Sequence, residues 1–227
     1  MPRSPRIIIP GLPHHIVFRG NNRRRLFTND SDRLSWLRCL EEGIEATHVA
    51  MHQHTLMTNH IHLMSTPSDE DAFAKMAKRA CQRYAQIRNE KWNATGKLFE
   101  QRYYVKVITD ETQLLNTLFY NDANAYRAGQ SADPTAHAWS TGPLHAGRSE
   151  SKIPRSMWTP HDFYTRLGRT PEARAAEYRR LLAAYLHEPT WIPYDDSHFD
   201  EKYRKRIERP DGSSAREPLT HWGRKRE

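Results

Sequence analysis

Two cysteines in 227 residues, Cys39 and Cys81, are too few for a disulfide scaffold, and no Cys-x-x-Cys pair is present to hold zinc. Long apolar runs are equally scarce. No stretch approaches the roughly 20 residues that a membrane helix needs. The opening residues have a basic flank but only a short apolar run, Ile7 to Ile9, too short for the core of a signal peptide. These absences point to a soluble chain in a reducing cytoplasm with no membrane partner. Acidic residues are also in deficit: 27 Asp and Glu stand against 35 Lys and Arg, for a net charge of +8. A basic chain often meets a polyanion, because each phosphate contact releases counterions. Charge alone leaves nucleic-acid binding open.

What is present is a lean globular chain. Hydrophobic residues make up 37% of it and the mean hydropathy is −0.89. Its length suits one cored domain plus an extension. Residues 14–19 (HHIVFR) read as a strand, followed by a turn at Gly20 to Asn22. A helix is predicted over about 31–47, with capping candidates at Asn29 to Asp32 and an apolar face of Leu34, Leu37, Leu40 and Ile44. Alternation over 48–57 predicts a half-buried strand, and 60–65 the next one. A basic helix follows over about 68–89, then a strand over 103–108. A third helix is capped by Asp110 and Gln113 and stopped by Gly129. This order predicts an α+β fold: a ferredoxin-like or RRM-like antiparallel sheet with helices packed on it.

The texture changes after about residue 132. Residues 133–160 are rich in Pro, Gly, Ser and Thr and read as an irregular connector. A helix is predicted over 171–186, with Ala173, Tyr178, Leu181, Leu182 and Tyr185 as packing candidates. The organisation read from this is a main domain over 1–132, a connector and helical extension over 133–200, and a basic mobile tail over 201–227.

Two constellations can carry chemistry. His60 and His62 flank Ile61, so in a strand both imidazoles share one face, at a spacing that suits one divalent metal. A His-x-His pattern is weak by itself: with 13 histidines about one is expected by chance, and His52 and His54 form a second. On the third helix, Tyr120 and Asn124 stack four residues apart, and Asn116 continues the stripe. Leu114, Leu115, Leu118 and Phe119 lie mainly opposite and seat the helix. Taken alone, a tyrosine and an amide there read more readily as solvated surface than as chemistry.

Together these segments resemble the single-tyrosine HUH transposases. Residues 56–63 (LMTNHIHL) look like the HUH motif, two histidines flanking a hydrophobic residue. Residues 118–129 (LFYNDANAYRAG) look like the catalytic helix, where the nucleophilic tyrosine precedes a metal-binding amide by four positions. Residues 95–103 (TGKLFEQRY) resemble the segment before the last strand, and residues 10–22 (PGLPHHIVFRGNN) the opening strand. The resemblance covers about residues 6–145, and four motifs in register are far more specific than any one. The nearest subgroup is the transposases associated with repetitive extragenic palindromes, whose C-terminal extension residues 158–168 (WTPHDFYTRLG) resemble. Two positions depart from the pattern. Thr58 stands where relatives usually carry proline, which loosens the turn before the motif. Ala125 and Tyr126 replace Pro-Val, and Tyr126 is expected to face away from the metal.

The resemblance implies a divalent metal, normally Mg2+ with Mn2+ able to substitute, held by His60, His62 and Asn124. Tyr120 would be the covalent nucleophile on single-stranded, hairpin-forming DNA, giving a 5′-phosphotyrosine and a free 3′-hydroxyl. Family members act as monomers or homodimers, and the sequence does not choose between them. Candidates for phosphate contact are Arg19, Arg23, Arg24 and Arg25 after the first strand, and Lys75, Lys78, Arg79 and Arg83 on the second helix. The segment Arg204 to Arg226 could clamp a hairpin. Phe99 and Tyr103 are candidate base-stacking platforms, with Tyr104 assigned rather to the core. Two rivals stand beside this reading. One is a catalytically silent single-stranded DNA- or RNA-binding regulator of the same fold. The other is a phosphodiesterase that uses metal and water and has no need of Tyr120.

Overall fold

A computed structural model describes residues 6–100 and 102–187. The predicted tail, 201–227, and the candidate clamp from Arg204 to Arg226 lie outside the described residues. Four strands, β1 (His14–Arg19), β2 (Ala50–Leu56), β3 (His60–Thr66) and β4 (Tyr104–Val107), form one antiparallel sheet in the order β2-β3-β1-β4. Helices α1 (Asp30–Thr47), α2 (Ala72–Lys91) and α3 (Glu111–Arg127) interleave with them. This is the expected ferredoxin-like order, in which each hairpin partner is separated from its crossover partner by an inserted strand.

Side-chain alternation splits the sheet into two layers. Ile16, Phe18, Ile61 and Leu63 face α1 and α2, where they meet Trp36, Leu37, Leu40, Phe73, Met76 and Tyr84. Trp36 centres an aromatic cluster, with ring centroids 5.6 Å from Phe18 and 5.6 Å from Tyr84. The buried Asp32 carboxylate ties the two helices together, accepting from Lys91 Nζ at 2.7 Å with Arg88 at 3.6 Å. The opposite layer holds Met64, Leu114, Leu118, Phe119 and Ala123.

Helix termini follow local chemistry. Asn29 caps α1 by accepting from the Asp32 amide, and Asp110 caps α3 by accepting from the Gln113 amide. Gly129, at φ 66°, ends α3 in a Schellman motif: its amide donates to the Tyr126 carbonyl and the Gln130 amide to the Ala125 carbonyl.

Three details correct the sequence reading. Leu34 is 47% exposed, so the buried stripe of α1 runs through Trp36, Leu37, Leu40 and Gly43 instead. β2 is buried on both faces rather than half-buried, and a bulge between Met51 and Gln53 shifts its alternation. On α6 (Pro171–His187), Ala173 is exposed and Ala175 packs in its place.

Residues 133–160 carry little regular structure, yet they are fixed to the edge of β2. The Leu56 amide donates to the Trp139 carbonyl, the Thr141 amide to the His54 carbonyl and the Thr159 amide to the Met51 carbonyl. Trp158 Nε1 donates to the His52 carbonyl. These contacts cover an edge strand that would otherwise present unpaired backbone groups. The segment includes one short helix, α4 (Gly142–His145), and leads into another, α5 (Asp162–Arg166), and then α6, which packs with Phe119 through Tyr178 and Tyr185.

Leu37→Ala is expected to lower the unfolding free energy by about 2–5 kcal/mol, because Leu37 is buried against α2 and the sheet. Leu34→Ala should change it by no more than about 0.5 kcal/mol. Urea denaturation of the two variants checks the assignment.

Candidate active site

β3 projects His60 and His62 onto the layer shared with α3, with Ile61 in the opposite core. α3 brings Tyr120 and Asn124 to the same place. Asn124 Nδ2 lies 3.2 Å from His62 Nε2, and the Tyr120 ring stands edge-on to His62 at 5.8 Å between centroids. The two imidazoles are 4.8 Å apart and nearly perpendicular. His60 Nδ1 is 2.8 Å from Asn59 Oδ1, which leaves Nε2 as its site-facing nitrogen. The four residues singled out in the sequence therefore meet, from one strand and one helix. Asn116 shares their helix but is not in contact with the imidazoles in any described interaction.

Burial pushes the His62 pKa down to about 3. The His60 pKa is also pushed well below the ordinary value, first by burial and then by the nearby His62 and Arg19 charges. Both rings are thus neutral at neutral pH, with a lone pair available for a metal. Two imidazole nitrogens and an amide oxygen are a credible but incomplete donor set for a divalent cation. Among the described residues no three of His, Cys, Asp and Glu are placed to hold a metal ion together, so the remaining positions would fall to water or a ligand phosphate.

The phosphate-contact candidates divide. Arg19 is not on an exposed track: it is 6% exposed, opposite His60 in the β1–β3 pairing, with Nε 3.4 Å from Glu100 Oε2. Arg23, Arg24 and Arg25 follow on the loop that leaves this corner, and Arg24 and Arg25 are exposed. Gly20 permits that loop, since a Cβ there would sit 2.2 Å from the Arg24 carbonyl oxygen. Lys75, Lys78, Arg79 and Arg83 are exposed on the outer face of α2, across the sheet from the imidazoles. Lys75 lies near Asp69 and Asp71, and Arg79 near Glu42.

The aromatic candidates change places. Phe99 packs on Phe18, Trp36 and Tyr84, and Tyr103 on Phe18, so both belong to the α1–α2 core. Tyr104 is the one on the site's layer, half-buried, with its ring 6.4 Å from His15. Tyr126 is 43% exposed, as its helical phase predicts.

The sequence reading missed a third histidine. His15 on β1 is buried, lies 3.0 Å from His62 Nδ1 through its Nε2, and stacks on that ring at 5.2 Å. It missed as well that Asn121 and Asp122, beside Tyr120, are wholly buried. The His-His pair at 14–15 was a signal, but only the register of β1 against β3 tells which of the two reaches the site.

A family model described as transposase, IS200-like, matches residues 9–120, a span that includes His60, His62 and Tyr120. The chain belongs to that family. It is a transposase, a DNA-cleaving enzyme. A solved structure of a REP-associated tyrosine transposase bound to a REP hairpin matches this transposase with a TM-score of 0.56 at 14% identity, covering 71% of this chain and 93% of that one. The crystal structure of a candidate transposase from Deinococcus radiodurans R1 matches at a TM-score of 0.38 and 14% identity, covering 58% and 99% respectively. No curated protein sequence matches the chain. No helix among the described residues is long and apolar enough to cross a membrane.

The buried histidines give the transposase a definite pH response. Burial holds His54 at about 3 and His52 at about 4, against 6.5 for a free imidazole. Above 6.5 neither folded nor unfolded chain protonates them, and stability is full. Below it the unfolded chain takes up protons first, so stability falls with pH until the folded values are reached. Each group contributes about 1.4 kcal/mol per pH unit in that window. In His54→Gln the slope of unfolding free energy between pH 6 and 4 should be shallower by about that amount; an unchanged slope would mean that His54 titrates like an exposed imidazole.

Proposed function

We propose that this transposase cuts and rejoins single-stranded DNA through Tyr120, with a divalent cation held by His60, His62 and Asn124. The observation that carries the reading is the convergence of Tyr120 and Asn124, on one face of α3, upon His62 of β3. A purely binding protein has no use for a phenol, an amide and two neutral imidazoles at one point. A cation there, Mg2+ with Mn2+ as substitute, would supply positive charge against the scissile phosphate. Tyr120 Oη gives up its proton and attacks phosphorus, the Oη–P bond forms as the P–O3′ bond breaks, and the 3′ oxygen takes up a proton and leaves as a hydroxyl, so that no net proton is gained or lost. The 5′-phosphotyrosine conserves the bond energy, so a second 3′-hydroxyl can rejoin the strand without ATP.

The surroundings favour a single strand. α3 covers the β2–β3 part of its layer, and the same layer continues to Tyr104, half-buried, and Lys106, exposed, on β4. An aromatic and a cation beside the site suit an unpaired base and its phosphate. Arg19 stands within the site and Arg23 to Arg25 at its exit, where they would follow the backbone. The α2 cations, across the sheet, suit a more distant duplex stem. The relative solved with a bound REP hairpin makes hairpin-forming repeats the first substrate to test.

The deciding experiment uses labelled hairpin DNA from the flanks of the gene. Wild-type protein with Mg2+ or Mn2+ should give a denaturant-resistant protein–DNA band that Tyr120→Phe and chelator both abolish. Cleavage surviving in Tyr120→Phe would instead mean a water nucleophile, and binding without cleavage in either protein a silent regulator. In the same assay, Arg24→Ala combined with Arg25→Ala should weaken DNA binding and make its salt dependence shallower by about two phosphate contacts.

A further inference from the structure

A buried polar chain runs from the candidate metal site into the core, and one end of it has a fixed polarity. Asp122 on α3 is wholly buried and, as a carboxylate, only accepts. Gln53 on β2 must therefore turn its amide nitrogen to Asp122, with Nε2 2.7 Å from Oδ1. That leaves Gln53 Oε1 to accept from Asn121 Nδ2 at 2.8 Å. Asn121 then has only its carbonyl oxygen to turn towards His15, and that oxygen is buried without a hydrogen bond of normal geometry. A proton on His15 Nδ1 would face that oxygen and leave Nε2 as an acceptor, the same arrangement that Asn124 Nδ2, a donor 3.2 Å from His62 Nε2, requires from the other end. His62 Nδ1, 3.0 Å away, must carry the proton that fills this acceptor. A neutral imidazole has one such proton, so His62 Nε2 keeps its lone pair, aimed at Asn124.

We propose that His15 is a positioning residue, which holds His62 as the Nδ1–H tautomer with its Nε2 lone pair directed into the site. The stacked contact fixes the plane of the ring as the hydrogen bond fixes its proton. A metal-ligating histidine whose other nitrogen is held this way gains both orientation and basicity, and losing the partner typically costs 10–100-fold in metal affinity. The proposal rests on the reading of His60, His62 and Asn124 as the metal set.

Imidazole nitrogen–proton correlation spectra of the metal-free full-length protein read the tautomer directly, with the His62 signal assigned by its loss in His62→Gln. Mn2+ titration followed by electron paramagnetic resonance reads the affinity. Wild-type His62 should show a protonated Nδ1 and a bare Nε2. His15→Phe, which cannot accept, should mix the tautomers and weaken Mn2+ binding by about 10-fold or more. His15→Gln, whose Oε1 can still accept from Nδ1, should recover most of both. A proton on Nε2 of wild-type His62 overturns the proposal whether or not any variant folds. So does wild-type Mn2+ affinity in a His15→Phe protein that still unfolds cooperatively. A wild-type protein that binds no Mn2+ would instead overturn the metal reading itself, and with it any role of His15 toward a metal.

Discussion

A single buried carboxylate organises much of this molecule. Asp122 is taken wholly out of water, and an unpaired charge there would be intolerable, since removing a partner from a buried ion typically costs about 3–5 kcal/mol. Its partners come from three separate elements: Gln53 from β2, His145 from α4 and Tyr178 from α6. Burial beside the carboxylate pushes the Tyr178 pKa well up, so the phenol stays a donor. Satisfying Asp122 therefore demands that sheet, helix and C-terminal extension assemble together. Because Asp122 is two residues from both Tyr120 and Asn124, the demand also fixes the helix that carries them.

The meeting of the four candidate residues was legible in the sequence because it rests on local periodicity. Alternation in β3 puts His60 and His62 on one face, and a four-residue step in α3 puts Asn124 above Tyr120, whatever the rest of the chain does. What the sequence could not supply is which layer covers which face. Arg19 reads as the first cation of a surface track, but pairing with β3 sets it opposite His60 and buries it. Phe99 reads as a platform and Tyr104 as core; the sheet order reverses them. The α2 cations do lie on one exposed stripe, yet only the packing of α1 and α2 shows that the stripe is across the sheet from the imidazoles. His15 was hidden for the same reason, since its partner is 47 residues away. Leu34 was misplaced by a smaller effect: a helix face drifts in phase, and Trp36 outcompetes it for the core.

Neutral imidazoles in a dry layer pose a problem that the polar chain answers. Burial keeps His60 and His62 unprotonated far below neutral pH, which favours metal binding, but it also removes the water that would otherwise satisfy their second nitrogens. Each ring therefore needs an internal partner, Asn59 for His60 and His15 for His62. A neutral imidazole can place its proton on either nitrogen, and only one placement leaves a lone pair toward Asn124. In a wet site, solvent would average the two. Here the choice is made by the sequence of donors and acceptors leading back to Asp122, whose two oxygens accept from three side chains.

The same wiring bears on the C-terminal extension. By composition, residues 133–160 look like a linker, and a linker could be altered without consequence for the site. Their backbone instead closes the open edge of β2, and α4 within them and α6 beyond them supply two of the three donors to Asp122. β2 is also the strand that carries Gln53, the residue that passes the polarity of Asp122 towards His15. An extension that secures β2 on one side and Asp122 on the other acts on both ends of that link. Its contribution to the site includes structural coupling through a shared buried charge, beside the packing of Tyr120 against the cluster that holds Tyr178 and Tyr185.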